Sequence, residues 1–222
     1  MKVIVLIPAF NEEKGISQLV KNLRTIVEEI IVVDDGSCDK TATVAAAAGA
    51  KVISHKENKG KGVALRTGFQ AVIADGADAV ITMDGDGQHD WREVQKLIKK
   101  AEESGADIVI GDRMGDISSM PPIRILTNRL TSWFVSRLGG QKVSDSQSGY
   151  RIIKRRVLEN VKLETAKYDL ESEILIKASR QGHIISSIPV KTIYHTGGVS
   201  KINPLVDTLR FARLIVRLMW KK

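Results

Sequence analysis

The sequence predicts an α/β domain on a mostly parallel central sheet flanked by helices, and three observations predict it. Short β-branched runs alternate with longer segments of helical period, the pattern of successive βα units. Glycines fall where the helices of that pattern should stop. With 222 residues, 43% of them apolar, the chain is long enough to bury a substantial core and too apolar for general disorder.

Strands are expected near 2–7, 29–34, 50–54, 78–83 and 107–110, with helices near 13–25, 39–48, 61–75 and 90–104. Asp39 and Asp90 stand where N-caps belong, and Gly49, Gly76 and Gly105 where C-terminal stops belong. After residue 112 the texture changes. Met120-Pro121-Pro122 breaks the chain, and a helix is expected over 123–138, running into Gly139-Gly140. A short strand at 150–154, a helix near 169–181 and a strand near 184–194 follow. Pro189 has no N–H for a ladder, which marks that last strand as an edge. With no repeat, low-complexity stretch or long linker, residues 1–203 read as one unit in which 113–203 completes the sheet and walls a cleft. Residues 204–222 read as a separate amphipathic helix.

Formal net charge is +8, but its distribution is more informative. Residues 1–120 hold 15 Lys/Arg against 19 Asp/Glu, a net of −4, and residues 121–222 hold 19 against 7, a net of +12. Such a basic half suits nucleic acid, an anionic membrane or a phosphorylated ligand. Aromatics at 5% and the lack of an RNA-recognition motif argue against nucleic acid. The single cysteine, Cys38, excludes an intramolecular disulfide and fits a reducing, cytoplasmic setting. The N-terminus opens straight into a strand rather than a signal leader, and no apolar run approaches the roughly 20 residues of a spanning helix. Membrane contact is therefore expected to be peripheral.

The strongest chemical signal is Ile81-Thr82-Met83-Asp84-Gly85-Asp86-Gly87-Gln88-His89, a strand running into alternating acids and glycines. Asp84 and Asp86 at i and i+2 can converge on one hard cation, Mg²⁺ or Mn²⁺, with Gln88 adding a neutral oxygen. An EF-hand is excluded by Gln88, His89 and Gln95. Asp34-Asp35-Gly36-Ser37 and Pro8-Ala9-Phe10-Asn11-Glu12 end two further strands. In an open α/β sheet all three strand ends would face one crevice. Lys59-Gly60-Lys61-Gly62 opens a helix and offers lysines and backbone amides to a phosphate, without being a Walker or dinucleotide motif.

Together with Gly111-Asp112-Arg113 and Ser148-Gly149-Tyr150-Arg151, these segments resemble the inverting family-2 glycosyltransferases, particularly the dolichyl- or polyprenyl-phosphate mannose and glucose synthases. The motifs occur in the family's order from residue 4 to about 201. The resemblance implies a GT-A type nucleotide-diphospho-sugar transferase fold. Residues 1–112 would bind nucleotide and metal, and 113–203 the acceptor. Pro8, Phe10, Glu12, Asp35, Lys61 and Asp84 would bind the donor, GDP-mannose or UDP-glucose. Asp84, Asp86 and Gln88 would hold the metal, and Asp86 and Arg113 would carry catalysis. Arg113, Arg124, Asn128, Arg151 and Lys201 would bind the acceptor phosphate of a polyprenyl or dolichyl phosphate. His195 departs from the arginine common at its place in this family.

A hydroxyl acceptor needs a base, for which Asp169, Glu171 and Glu173 are candidates, whereas a lipid phosphate is already an oxyanion. In the C-terminal helix Arg210, Arg213, Arg217 and Lys221 border an apolar arc that includes Leu205, Leu209, Val216, Met219 and Trp220, which suits the cytoplasmic membrane interface; packing on the domain or on a second copy is the alternative. Two enzymatic rivals are transfer to a sugar or other hydroxyl and a haloacid-dehalogenase-like phosphohydrolase. The latter would place Thr or Val at Gln88 and leaves the Pro8 and Asp35 motifs unexplained.

Overall fold

The computed structural model describes residues 1–117, 120–167, 169–191, 193, 211 and 213–218. Seven strands form one sheet: β1 (Val3–Ala9), β2 (Glu29–Asp34), β3 (Lys51–Ser54), β4 (Ala79–Thr82), β5 (Ile108–Asp112), β6 (Arg151–Lys154) and β7 (Ile185–Pro189). Their order is β3-β2-β1-β4-β6-β5-β7, and only β6 runs antiparallel to its neighbours.

The apolar run of β1 has period-2 alternation with no polar side to expose, so it lies inside the sheet and is covered twice. Ile4 and Leu6 join a core with α3 (Lys61–Asp75), α5 (Pro122–Gly139), α6 (Arg155–Asn160) and α7 (Leu170–Arg180), through Leu65, Phe69, Val135, Val157 and Ile174. Val3, Val5 and Ile7 face the opposite core, where Ile16, Leu19 and Leu23 of α1 (Ile16–Leu23), Ala45 of α2 (Thr41–Ala47) and Leu97 of α4 (Val94–Ser104) pack. Gly68 sets the approach of α3 to β1: a Cβ there would fall 2.2 Å from Leu6 Cδ1.

The punctuation works broadly as the sequence predicts, although α2 is flanked by Lys40 and Ala48, each one residue inside the expected Asp39 and Gly49. Asp39 Oδ1 accepts the Thr41 N–H at 2.9 Å at the start of α2, and Asp90 Oδ1 accepts the Arg92 N–H at 3.1 Å. Asp90 caps a 3-10 turn, Trp91–Glu93, that precedes α4. Gly76 and Gly105 end their helices in the left-handed region, at φ of 78° and 66°. β7 is an edge strand as expected, but it ends at Pro189 rather than running to 194. The helix α6 was not expected, because six residues are too few to display a period. The insertion of β6 between β4 and β5 interleaves the two halves of the chain in one sheet.

Of the C-terminal segment, residues 213–218 are helical, and Leu214, Ile215 and Leu218 are buried in the α3–α5–α7 core. That part packs on the domain, the alternative to its lying on a membrane. The large exposed apolar stripe lies instead on α5, at Ile123, Leu126, Leu130 and Trp133, each 56–65% exposed.

Candidate active site

Because β1, β2 and β4 are parallel neighbours, their carboxyl ends open on one edge and bring three acid-bearing turns together. After β1, the Asn11 amide donates to Ser37 Oγ at 2.9 Å, while Asn11 Oδ1 accepts the Cys38 N–H, tying this turn to the one after β2. Asn11 does so in the left-handed region at φ 55°, which asparagine tolerates. At the end of β4, Gly85 lies against Pro8 and Glu12: a Cβ would stand 3.5 Å from Glu12 Cγ and 3.6 Å from the Pro8 carbonyl oxygen. Pro8 and Glu12 are therefore assembled beside the turn that carries Asp84 and Asp86.

Asp35 is buried and organises the loop before α3. Its Oδ1 accepts the Lys59 N–H at 3.0 Å and lies 2.7 Å from His55 Nδ1, and its Oδ2 accepts the Gly60 N–H at 2.7 Å. His55 Nε2 reaches Thr67 Oγ1 at 3.0 Å. His55 is thus structural, with an acid partner 20 residues away that local sequence does not reveal. Gly60 adopts φ 96°, and a Cβ on it would collide with the Lys167 side chain at 2.5 Å, which places Lys167 over this loop.

Lys61, the first residue of α3, lies between Asp84 Oδ1 at 2.6 Å and Glu171 Oε1 at 2.7 Å. Burial pushes the Asp84 carboxyl up, but the Lys61 ammonium and His89 outweigh it and hold Asp84 well below the usual carboxylate range. Burial likewise lowers Lys61, and its two carboxylate partners more than reverse that, so the ammonium is held charged. His89 Nε2 stands 3.6 Å from Asp84 Oδ2, its ring against Tyr150 with centroids 4.9 Å apart. Gly149 closes over the group: a Cβ would lie 2.9 Å from Glu171 Oε1 and 3.0 Å from both Asp84 Oδ2 and Lys61 Nζ.

A second cluster stands at the end of β5. The Arg113 guanidinium donates to Asp145 Oδ2 at 2.8 Å and Oδ1 at 2.9 Å, and the Asn128 amide donates to Oδ1 at 2.7 Å. Asp145 is fully buried; desolvation raises its carboxyl, and Arg113 and Asn128 bring it below the usual range. Arg124 is exposed one turn before Asn128 on α5.

The profile of glycosyl transferase family 2 matches residues 4–162. The chain belongs to this family. It is 32% identical to the UDP-N-acetylglucosamine–dolichyl-phosphate N-acetylglucosaminyltransferase of Methanococcus voltae, covering 99% of this chain and 97% of the relative. It is 28% identical to the polyprenol monophosphomannose synthase of Mycolicibacterium smegmatis, covering 91% and 81%. The glucosyl-3-phosphoglycerate synthase of Mycobacterium tuberculosis, solved with Mn²⁺, UDP and glucosyl-3-phosphoglycerate, superposes with a TM-score of 0.73 over 99% of this chain and 79% of that one at 21% identity. The shared fold is that of GT-A glycosyltransferases, as the sequence resemblance implied. The protein is a family 2 glycosyltransferase.

The donor set of this family 2 chain suits a hard cation. Asp84 is 29% exposed and Asp86 is exposed, both offer carboxylate oxygens, and Gln88 lies beside them with its N–H on Asp86 Oδ1 at 3.0 Å. Among the described residues no group of three His, Cys, Asp or Glu side chains stands together as a metal site, so these two carboxylates and the Gln88 oxygen are the donors on which the fit rests.

Several expected residues stand elsewhere. Arg151 is 2% exposed, and its guanidinium donates to the carbonyls of Ser148, Glu171 and Ser146 at 2.6–2.7 Å. It shapes the 146–149 turn from behind. Glu173 accepts from Glu164 N, Thr165 N and Thr165 Oγ1 and pairs with Lys177 at 2.6 Å, and Asp169 accepts the Lys167 N–H. Of the three acids near 169–173, Glu171 is the one that meets Lys61 beside Asp84. Lys201 lies outside the described residues. Asp145 has no part in the sequence reading, and Gly149 enters it only within the Ser148-Gly149-Tyr150-Arg151 segment, without a role of its own. The available signal for Asp145 was its place as one of seven acids after residue 120, three residues before the Ser148-Gly149-Tyr150-Arg151 segment.

Proposed function

We propose that this enzyme transfers a hexose, mannose or glucose, from a nucleoside-diphosphate sugar to a polyprenyl phosphate, with inversion and with a divalent cation. The observation that carries this reading is the pairing of an acid-lined donor crevice with the Arg113–Asn128–Asp145 cluster, where no carboxylate of the 169–173 segment is placed as a free base. Glu173 and Asp169 are engaged with backbone amides, and Glu171 with Lys61. A phosphate oxyanion attacks without losing a proton, so an acceptor of that class suits the site better than a hydroxyl. The relatives whose names specify dolichyl-phosphate and polyprenol products support the same class.

Asp84 and Asp86, with the Gln88 amide oxygen, would hold Mg²⁺ or Mn²⁺, which supplies charge neutralisation at the departing diphosphate. Lys61 would add a fixed positive charge there, and Asp35, with Pro8, Phe10 and Glu12, would seat the nucleoside. Arg113, oriented by Asp145 through Nε and Nη2, would offer its remaining N–H groups to the acceptor phosphate together with Arg124. The apolar stripe of Ile123, Leu126, Leu130 and Trp133, with exposed Arg129 and Arg137 on the same helix, would rest on an anionic membrane surface on the cytoplasmic side. The acceptor cluster and this stripe occupy opposite faces of α5, so a phosphate leaving the membrane would reach the crevice within the width of one helix. Among the described residues no helix is long and apolar enough to cross a membrane.

The deciding assay offers radiolabelled GDP-mannose, UDP-glucose and UDP-N-acetylglucosamine with Mn²⁺ to dolichyl phosphate, to dolichol and to 3-phosphoglycerate. Turnover is expected with one donor and dolichyl phosphate alone. Turnover with dolichol or 3-phosphoglycerate in place of the lipid phosphate overturns the reading.

A further inference from the structure

Lys61, Asp84 and Glu171 come from three elements, the start of α3, the turn after β4 and the start of α7, yet they meet as one closed ion-paired group. The ammonium stands 2.6 Å from Asp84 Oδ1, and Asp84 is the acid whose oxygens the metal reading needs. Gly149 lies against all three side chains, and a Cβ on it would stand 3.0 Å from both the ammonium and Asp84 Oδ2, so the backbone there leaves no room for a further side chain to pair with either in place of the other. A dication entering alone would meet a fixed positive charge already bound to its ligand. A dication entering with a diphosphate brings negative charge that offers the ammonium a new partner, while Glu171 continues to hold it at 2.7 Å.

We propose that Lys61 is a resident counter-ion for Asp84 that keeps a bare divalent cation out and releases Asp84 only when the donor diphosphate arrives. This rests on the metal-dependent reading above and adds an order of events to it. Cation and nucleotide then bind with strong mutual dependence, and each raises the affinity of the other by the same factor. Between donor visits the lysine neutralises two carboxylates that would otherwise repel each other, so the crevice keeps its shape without metal.

The first test titrates Mn²⁺ by electron paramagnetic resonance into wild type, Lys61→Met and Lys61→Arg without nucleotide, then with UDP and with GDP. Lys61→Met is expected to bind bare Mn²⁺ about tenfold or more tightly than wild type, and to lose most of the nucleotide dependence. Lys61→Arg, which keeps the charge, should bind bare Mn²⁺ as weakly as wild type. Equal or weaker bare Mn²⁺ binding by Lys61→Met overturns the inference. An absence of Mn²⁺ binding by folded wild type even with the nucleoside diphosphates overturns the metal reading itself.

A second measurement needs no variant. The ¹⁵N–¹H signal of the Lys61 ammonium in wild type should stay in place with Mg²⁺ alone and move when Mg²⁺ and nucleoside diphosphate are both present. A signal that moves with Mg²⁺ alone, or stays fixed with both, overturns the inference.

Discussion

Asp34 ends β2, Asp35 follows it and Asp84 stands two residues past β4, whereas Arg113, Asn128 and Asp145 come from three segments and meet through one buried carboxylate. The first group takes its starting points from the sheet, since parallel strands in register deliver their ends to one edge before the loops add their contacts. The second has no such scaffold and depends on Asp145, which holds Arg113 from 32 residues away and Asn128 from 17. A site built on strand ends should tolerate loss of a side chain as a fold, and a site built around a buried ion pair should not.

The largest expected effect breaks that second arrangement. Asp145→Ala leaves the Arg113 guanidinium largely buried and unpaired, and should cost about 3–5 kcal/mol in equilibrium urea unfolding. A loss below about 1 kcal/mol would mean that the cluster is not what holds this side together. The pair also sets a pH dependence. Because the folded carboxyl lies below its unfolded value near 4, its contribution is complete above that value and fades as pH falls through the folded pKa. Asp145→Asn should therefore flatten the acid limb of the stability curve.

The same contrast explains what could be read in advance. The strands, the parallel register and the acid-bearing turns follow from period and punctuation, which are local. Asp84-Gly85-Asp86 is visible as a motif because both acids leave one strand end. Asp145 carries no such mark, since its partners are far away in sequence, and Arg151 reads as an acceptor-phosphate ligand until three carbonyls are seen to surround it. His55 looks alone for the same reason, its partner Asp35 arriving from the neighbouring strand. The antiparallel entry of β6 between β4 and β5 is likewise a matter of long connections, which no window of sequence displays.

An intermediate effect separates the two arginines that the sequence placed together on the acceptor. Arg151→Lys cannot reach three carbonyls with a planar fork and should cost roughly 2–4 kcal/mol of stability. At a temperature where the variant remains folded, its KM for dolichyl phosphate should change little. Arg124→Ala should do the reverse, raising that KM about 10- to 100-fold, the worth of one charge-assisted hydrogen bond, with an unchanged melting temperature. If Arg151→Lys raised the KM without melting earlier, Arg151 would belong to the acceptor and the three carbonyl contacts would be incidental.

The smallest effect sharpens the comparison by holding chemistry constant. Arg92 and Asp90 form the same two-pronged pair as Arg113 and Asp145, with Arg92 Nε 2.8 Å from Asp90 Oδ1 and Nη2 2.8 Å from Oδ2. The Arg92 side chain, however, is 69% exposed, against 20% for Arg113. Water competes for every bond an exposed guanidinium makes and solvates the carboxylate when the arginine leaves. Asp90 also retains its hydrogen bond from the Arg92 backbone amide, which no side-chain substitution removes. Arg92→Ala is therefore expected to leave the melting temperature and turnover unchanged, measured beside Asp145→Ala under the same conditions. A clear loss of stability from Arg92→Ala would mean that the two-pronged geometry itself, rather than its burial, holds these pairs, and the distinction between the two sides of the crevice would fall with it.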